Sequence, residues 1–191
     1  MVAQITPDKR QDLVVAAAAR VRKVFPDCTF ILAGAPLDSG YELELKKLIT
    51  SLGLAGHVHL TGFWEDVPSL MQALNVLVLP SRAEAFGLVL LEAMANARAV
   101  VGSRSGAIPE VVKHGENGLL FEPGNAESLA EALLELLRDP DKQRQMGAVG
   151  ERMFDKSYRL EREAFCLEEL YRSLLRVDHG HSPMGAGSTG P

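Results

Sequence analysis

Short runs of β-branched and aliphatic residues alternate with longer amphipathic stretches, and this alternation restricts the possible folds more than any other feature of the chain. The runs predict six strands: Val2–Ile5, Thr29–Ala33, Val58–Thr61, Val76–Leu79, Ala99–Gly102 and Gly118–Phe121. The stretches between them predict helices near residues 10–24, 40–52, 66–74, 87–97 and 126–138. Strands separated by helices of this length pair in parallel through right-handed crossovers. The pattern therefore predicts an α/β fold with a Rossmann-like, doubly wound parallel sheet.

The pattern changes after Pro140, where no further strand is predicted. Residues 140–155 and 158–177 predict two charged helices, and residues 178–191 form a Gly-, Ser-, Pro- and His-rich tail that we expect to be disordered. We therefore expect one domain over residues 1–177 and a tail over 178–191. Because a central strand at the very start is unusual, we also expect a fragment or a separately encoded half of a larger protein.

Composition excludes several classes of function. The net charge is −5 with acidic and basic residues interspersed, so no basic surface for nucleic acid is expected. The most apolar stretches, 87–95 and 129–137, are too short to cross a bilayer, and no signal peptide opens the chain. Cys28 and Cys166 lie far apart without metal-ligand spacing. We expect a cytoplasmic protein, with peripheral attachment to the inner membrane face as an alternative.

Residues 80–95 carry the strongest functional signal, with the sequence Pro-Ser-Arg-Ala-Glu-Ala-Phe-Gly-Leu-Val-Leu-Leu-Glu-Ala-Met-Ala. They follow a predicted strand, at the end where open α/β sheets bind ligands. Gly87 allows a tight turn into a helix whose first N–H groups have no partner within the helix. Free donors and the positive end of the helix dipole favour a phosphate at this point.

Two carboxylates flank this helix start. Glu84 precedes it, and Glu92 lies five residues beyond Gly87, about 7–8 Å along the axis. Apart from Glu92, the helix from Leu88 to Ala95 is apolar on every face, which predicts a buried helix in which Glu92 needs a partner. Sugar hydroxyls or a neighbouring Lys or Arg would satisfy it. Glu84 could equally be a helix cap or a solvated loop acid.

With seven residues between them, Glu84 and Glu92 resemble the E-x7-E motif of retaining GT-B glycosyltransferases, family 4 (glycosyl transferases group 1) in particular. The resemblance covers about residues 2–177 and implies that the chain is the C-terminal half of a GT-B fold. Besides the motif, it includes five segments in order: Ala3–Lys9, Phe30–Gly34, Leu60–Phe63, Val78–Ser81 and Gly106–Leu120.

The resemblance implies a donor site for a nucleotide-diphosphate sugar, linked to UDP or GDP. Lys9 would pair with the diphosphate, and Gln4 stands where the family usually has Arg, which keeps a hydrogen-bond donor and loses the charge. Gly34 would lie near the nucleotide. Phe63, with its neighbour Trp64, would lie beside the base, although a rim or core position suits these aromatic residues as well.

The same resemblance gives the helix start its roles. Backbone N–H groups of Phe86, Gly87, Leu88 and Val89 would hold the sugar and phosphate, and Glu92 would accept hydrogen bonds from the ribose hydroxyls. Glu84 would contact the donor sugar near its anomeric carbon and is the catalytic candidate. No Asp-x-Asp motif is present in a suitable loop, so we expect no metal and no cofactor besides the nucleotide-sugar substrate.

A GT-B enzyme takes its acceptor site from an N-terminal domain. We therefore expect a glycosyltransferase domain that is inactive alone and needs such a domain in cis or in trans. An exposed apolar face could also support a homodimer. The alternatives are a non-catalytic nucleotide-sugar-binding or interaction module and half of a nucleotide-sugar epimerase or a phosphorylase-like enzyme. An NAD-dependent dehydrogenase is the weakest alternative, because no G-x-G-x-x-G follows a predicted strand.

Overall fold

A computed structural model describes residues 1–177. A 3-10 turn over Pro7–Lys9 is followed by a regular alternation of helices and strands. The helices are α1 (Gln11–Val21), α2 (Ser39–Ser51), α3 (Val67–Ala73), α4 (Leu88–Ala95), α5 (Ile108–Val111), α6 (Ala126–Arg138), α7 (Pro140–Ser157) and α8 (Leu160–Val177). The strands are β1 (Phe30–Ala33), β2 (Val58–Gly62), β3 (Val76–Leu79), β4 (Ala99–Ser103) and β5 (Gly118–Phe121). The predicted tail over 178–191 lies outside the described residues.

All strand pairs are parallel, which confirms the predicted fold class. Alternate residues of the strands pack on opposite faces, as a pleated strand requires. On one face Val78, Val101 and Phe121 join a core with α1 and α6. The residues between them along the strands, Leu79 and Val100, are also buried but belong to the other face. Burial on both faces is the mark of a doubly wound parallel sheet.

The prediction of a strand over Val2–Ile5 is wrong. Val2 and Ile5 make only isolated bridges, to Ala33 and Pro36. The segment still lies beside β1, since Ala3 N–H donates to the Ala33 carbonyl and Ile5 N–H to the Ala35 carbonyl, both at 2.9 Å, but these bonds do not build a continuous ladder. The strands consequently form a two-stranded sheet, β1-β2, and a three-stranded sheet, β3-β4-β5, where the pattern predicted one continuous sheet.

The helix ends follow the local sequence. The side chain of Asn125 accepts hydrogen bonds from the N–H groups of Glu127 and Ser128 at 3.0 Å and so caps α6, as predicted. Gly53, with a φ of +65°, follows α2 in the left-handed conformation expected after a helix.

Contacts divide the chain into two units, Met1–Phe154 and Asp155–Pro191, and the strands and the candidate site all belong to the first.

Candidate active site

The loops that follow the parallel strands meet at one edge of the fold and contact one another through their backbones. Arg82 N–H donates to the Asp8 carbonyl at 2.9 Å, which joins the loop after β3 to the turn that precedes α1. Gly34 N–H donates to the Gly62 carbonyl at 2.8 Å, which joins the loop after β1 to the end of β2. These bonds bring the predicted site residues to one edge from distant parts of the sequence.

Lys9 and Glu84 form an ion pair across this edge. Lys9 Nζ lies 2.8 Å from Glu84 Oε2, and the two side chains are 28% and 15% exposed. The sequence predicted a role for each residue but no contact between them. The helix-cap alternative for Glu84 does not apply, because no side chain caps the start of α4.

The backbone of Glu84 is held from the far side by the turn after β4. Ala107 N–H donates to the Glu84 carbonyl at 2.9 Å. Gly106 has a φ of +53°, and a Cβ at this position would lie 2.4 Å from the same carbonyl oxygen. A glycine is therefore required for the turn to approach so closely. The sequence gave no sign that Gly106 packs against the loop that carries Glu84.

The start of α4 has the open geometry that an anion site needs. Gly87 precedes the helix with a φ of +78° and a ψ of 48°, and no side chain caps the helix. Leu90 N–H donates to the Gly87 carbonyl at 2.8 Å. The N–H groups at the first two positions, Leu88 and Val89, cannot find acceptors within the helix. They remain donors for a ligand.

Glu92 is exposed, whereas the apolar character of α4 predicted a buried helix. Leu88, one turn before Glu92, is 65% exposed, while Leu90, Ala93 and Met94 on the other side are fully buried. The residues of α4 are apolar all round, yet only one side of the helix is covered by the fold. Within the described residues, the Glu92 carboxylate has no hydrogen bond or ion pair, so the alternative of a neighbouring Lys or Arg partner does not apply. Partial desolvation raises the pKa of this carboxyl above its ordinary value.

Gln4 and Gly34 lie next to each other at the same edge. Gln4 is exposed, and its backbone carbonyl accepts a hydrogen bond from Nε2 of the fully buried Gln11 at 2.8 Å. A Cβ on Gly34 would lie only 1.9 Å from the Ala3 carbonyl oxygen, so glycine is required there. The sequence analysis missed Gln11, although a single polar residue on the apolar stripe of α1 was a readable signal.

Exposed apolar side chains surround the site. Phe63 is 73% exposed, Phe86 47% and Leu88 65%. Trp64 is 40% exposed, and its Nε1–H donates to the Asp66 carbonyl at 3.1 Å. The core position considered for Phe63 and Trp64 is therefore wrong, and both rings are open to solvent.

A cavity of about 550 Å³ lies between β1 and β3 but is separate from this site. It is lined by the amino ends of the strands, among them Phe30 and Val76, and by Met1, Phe25 and Leu133. Ligands of open α/β folds bind at the opposite, carboxyl ends.

Within residues 1–177, no group of three His, Cys, Asp or Glu side chains is arranged to hold a metal ion. In the same part of the chain, no helix combines the length and the apolar character needed to cross a membrane.

Comparison with known proteins gives one consistent family. The family model described as glycosyl transferases group 1 matches residues 1–153. N-acetyl-alpha-D-glucosaminyl L-malate synthase of Bacillus anthracis is 34% identical over 168 residues, which are 88% of this chain and 43% of that enzyme. The chain thus spans about half the length of the curated relatives that it matches.

Solved structures agree with this result. The structure of Anabaena Alr3699/HepE in complex with UDP is similar with a TM-score of 0.86 at 30% identity, covering 90% of this chain and 47% of that one. The C-terminal domain of the glycosyl transferase group 1 family protein LpcC from Francisella tularensis is similar with a TM-score of 0.74 at 30% identity. That match covers 82% of this chain and 83% of that domain.

Proposed function

The chain belongs to the glycosyl transferases group 1 family, and on this premise we propose that it is the donor-binding domain of a retaining glycosyltransferase. It would bind a nucleotide-diphosphate sugar, and transfer to an acceptor would require an N-terminal domain. The observation that carries the proposal is the uncapped start of α4, flanked by Glu84 and by a Glu92 that has no partner within the described residues.

The proposed donor lies across the edge where the loops meet. The diphosphate binds Lys9 and the free N–H groups of Leu88 and Val89, which together supply positive charge without a metal ion. Its ribose hydroxyls donate to the Glu92 carboxylate. The exposure of Glu92 supports this role, because a ligand can reach the carboxylate and the chain leaves its acceptor capacity unused.

Gln4, Gly34 and Phe63 complete the proposed donor site. Gln4 contributes an amide donor near the phosphates, weaker than a guanidinium because it carries no charge. Gly34 keeps the loop after β1 flat against the Ala3 backbone, so that the nucleotide can approach. Phe63 offers an exposed ring to the base. A nucleotide with such a base, UDP, is bound in the structure of the similar Anabaena protein.

Glu84 is the proposed catalytic residue. As the bond between the anomeric carbon and the diphosphate oxygen breaks, the electron pair leaves with the oxygen and positive charge develops on the sugar. A carboxylate near the anomeric carbon stabilises this charge. The acceptor hydroxyl then bonds to the anomeric carbon on the face that the diphosphate left, and its proton passes to the departing diphosphate.

The acceptor site is proposed to lie on a second domain. The chain matches about half of its relatives, and exposed apolar side chains surround the candidate site. A covering domain would exclude water and align the two substrates. A non-catalytic nucleotide-sugar module remains the second candidate, favoured by the uncharged Gln4.

Nucleotide titration followed by thermal unfolding tests the proposal. We expect UDP or GDP to raise the Tm and NAD to leave it unchanged, with roughly 2–4 °C for each kcal/mol of binding linkage. Glu92→Ala should abolish the shift, and Glu131→Ala, a change of another exposed acid on α6, should not. An equal response of Glu92→Ala and the wild-type chain would remove Glu92 from the site, and a response to NAD alone would exclude the proposed donor.

A further inference from the structure

Lys9, the proposed partner of the phosphates, forms an ion pair with Glu84, the proposed catalytic residue. Lys9 Nζ and Glu84 Oε2 are 2.8 Å apart, and both side chains are more than two-thirds buried. The backbones on either side are fixed, since the Asp8 carbonyl accepts from Arg82 N–H and the Glu84 carbonyl accepts from Ala107 N–H. The contact therefore belongs to the architecture of the edge and does not depend on two long, freely moving surface side chains.

Two neighbours of Lys9 along the chain do not replace it. Gln4 is neutral, and the Arg10 guanidinium is held by both carboxylate oxygens of Asp12, with Nε–Oδ1 and Nη2–Oδ2 distances of 3.0 and 2.9 Å. A phosphate that approaches Lys9 must therefore compete with the Glu84 carboxylate for the same ammonium group.

We infer that the Lys9–Glu84 pair makes the site select an intact nucleotide sugar over the bare nucleoside diphosphate. This inference rests on the proposed function. A bare diphosphate that captures Lys9 leaves a partly buried carboxylate without a partner and close to a second negative charge, which is costly. An intact donor brings sugar hydroxyls that donate to Glu84 while its phosphates take Lys9, so both members of the pair are satisfied.

The same competition gives the pair a function after transfer. Once the sugar has left, Glu84 loses its hydroxyl donors and the carboxylate again competes for Lys9. The pair then re-forms and weakens the hold on the diphosphate product. A site with a charged Arg at position 4 would bind the product more firmly.

Calorimetric titration of the full chain with UDP and GDP, and with their glucose and mannose conjugates, tests this inference at fixed ionic strength. Glu84→Gln keeps the shape of the side chain and removes the competing charge. We expect it to tighten binding of the bare diphosphate about three- to fivefold, because a partly exposed ion pair contributes up to roughly 1 kcal/mol, which is about a fivefold change in affinity. The preference for the sugar conjugate should fall.

Two further variants separate the pair from other effects. Glu131→Gln makes the same change of net charge on an exposed face of α6 and should leave every affinity within about twofold of wild type. Lys9→Met should weaken the diphosphate and its conjugates alike, and in this background Glu84→Gln should no longer tighten the diphosphate threefold. Should Glu84→Gln unfold, Glu84→Asp, whose shorter side chain retracts from Lys9, provides the same comparison with a smaller expected gain.

The possible failures are distinguishable. If the wild-type chain binds UDP or GDP and loss of the Glu84 charge leaves that affinity unchanged or lowers it, the selection mechanism is wrong while the donor-binding function stands. If neither nucleotide nor any conjugate binds, the proposed function falls and the inference falls with it.

Discussion

Glu92 is an exposed carboxylate in the proposed donor site. Its surroundings remove part of its hydration and raise its pKa, yet no cation within the described residues compensates for this cost. Ionised Glu92 is therefore slightly unfavourable in the folded state. A residue that is tolerated under these conditions fits a ligand-binding role better than a structural one.

The raised pKa of Glu92 predicts a pH dependence of nucleotide binding. Only the ionised carboxylate can accept hydrogen bonds from both ribose hydroxyls, so affinity should fall as the pH is lowered towards the pKa. Because that pKa is raised, the loss should begin above the range of an ordinary glutamate, which titrates near about pH 4.3. Titration of UDP between pH 7.5 and 5 would measure it.

Glu92→Gln is the control for this pH dependence, and it should bind weakly and independently of pH in this range. The stability of the fold depends on pH in the opposite direction from nucleotide affinity. A carboxyl whose folded pKa is raised stabilises the fold when protonated, and that contribution is lost as the pH rises through the folded pKa. Glu92→Gln should therefore unfold at a slightly higher temperature than wild type at pH 7.5. An identical pH profile of binding in both proteins would contradict the assignment.

The turn between β4 and α5 positions the acid loop, and it is an element that the motif alone does not reveal. Gly106 has a left-handed φ of +53° and lies against the backbone of Glu84, while Ala107 supplies the hydrogen bond to the Glu84 carbonyl. Loop and turn are thus fixed as one structure. We expect the position of Glu84, the proposed catalytic residue, to depend on this turn.

Gly106→Ala tests the dependence, with Gly53→Ala as its matched control. Both glycines have similar φ angles, +53° and +65°, so each alanine incurs about 1 kcal/mol of backbone strain. A Cβ at Gly53 meets nothing within 4 Å, whereas a Cβ at Gly106 collides with the Glu84 carbonyl. Gly106→Ala should therefore lose a further 1–3 kcal/mol, roughly, of unfolding free energy in urea. It should also weaken nucleotide-sugar binding, which Gly53→Ala should leave intact, and equal losses in both variants would show that the turn does not press on the acid loop.

At the scale of the whole molecule, the proposed donor site is bordered by apolar side chains that the first unit leaves exposed. Phe63, Phe86 and Leu88 lie at that edge in the unit Met1–Phe154. In the second unit, Leu170, Tyr171 and Leu174 of α8 are exposed as well. Each unit thus exposes apolar side chains of its own, and the use of such a surface in a homodimer stays a prediction.

Fusion to an N-terminal half tests whether the chain can take part in catalysis. The chain alone should bind donor but transfer no sugar, because the acceptor site is proposed to lie on a second domain. When it is fused behind the N-terminal half of the Bacillus anthracis relative, we expect transfer from a nucleotide sugar and a product with the donor's anomeric configuration, measured by NMR. Glu84→Gln in the fusion should reduce turnover at least a hundredfold, a typical loss for a group that stabilises transition-state charge. A fusion that binds donor but never transfers it would favour the non-catalytic module, and inversion would exclude the retaining mechanism.

The local pattern of apolar residues was sufficient to predict most of the helices and strands. The boundaries of β3, β5 and α6 agree with prediction, and the other helices and strands from β1 onwards, apart from the short α5, differ by a few residues. Periodicity predicts these elements well because the spacing of apolar residues depends only on near neighbours along the chain. The strand predicted over Val2–Ile5 was wrong because a strand needs a continuous ladder with a distant part of the chain, and here only isolated bridges to Ala33 and Pro36 form.

The candidate site divides in the same way. The residue types at positions 84–92 and the glycine before the helix were readable, because a motif is a local arrangement. The contact between Lys9 and Glu84, 75 residues apart, and the support from Gly106 depend on how distant loops pack. The exposure of Glu92 had the same origin. An apolar sequence tells which residues would favour burial, whereas the surrounding fold decides which of them are covered, and on α4 it covers only one side.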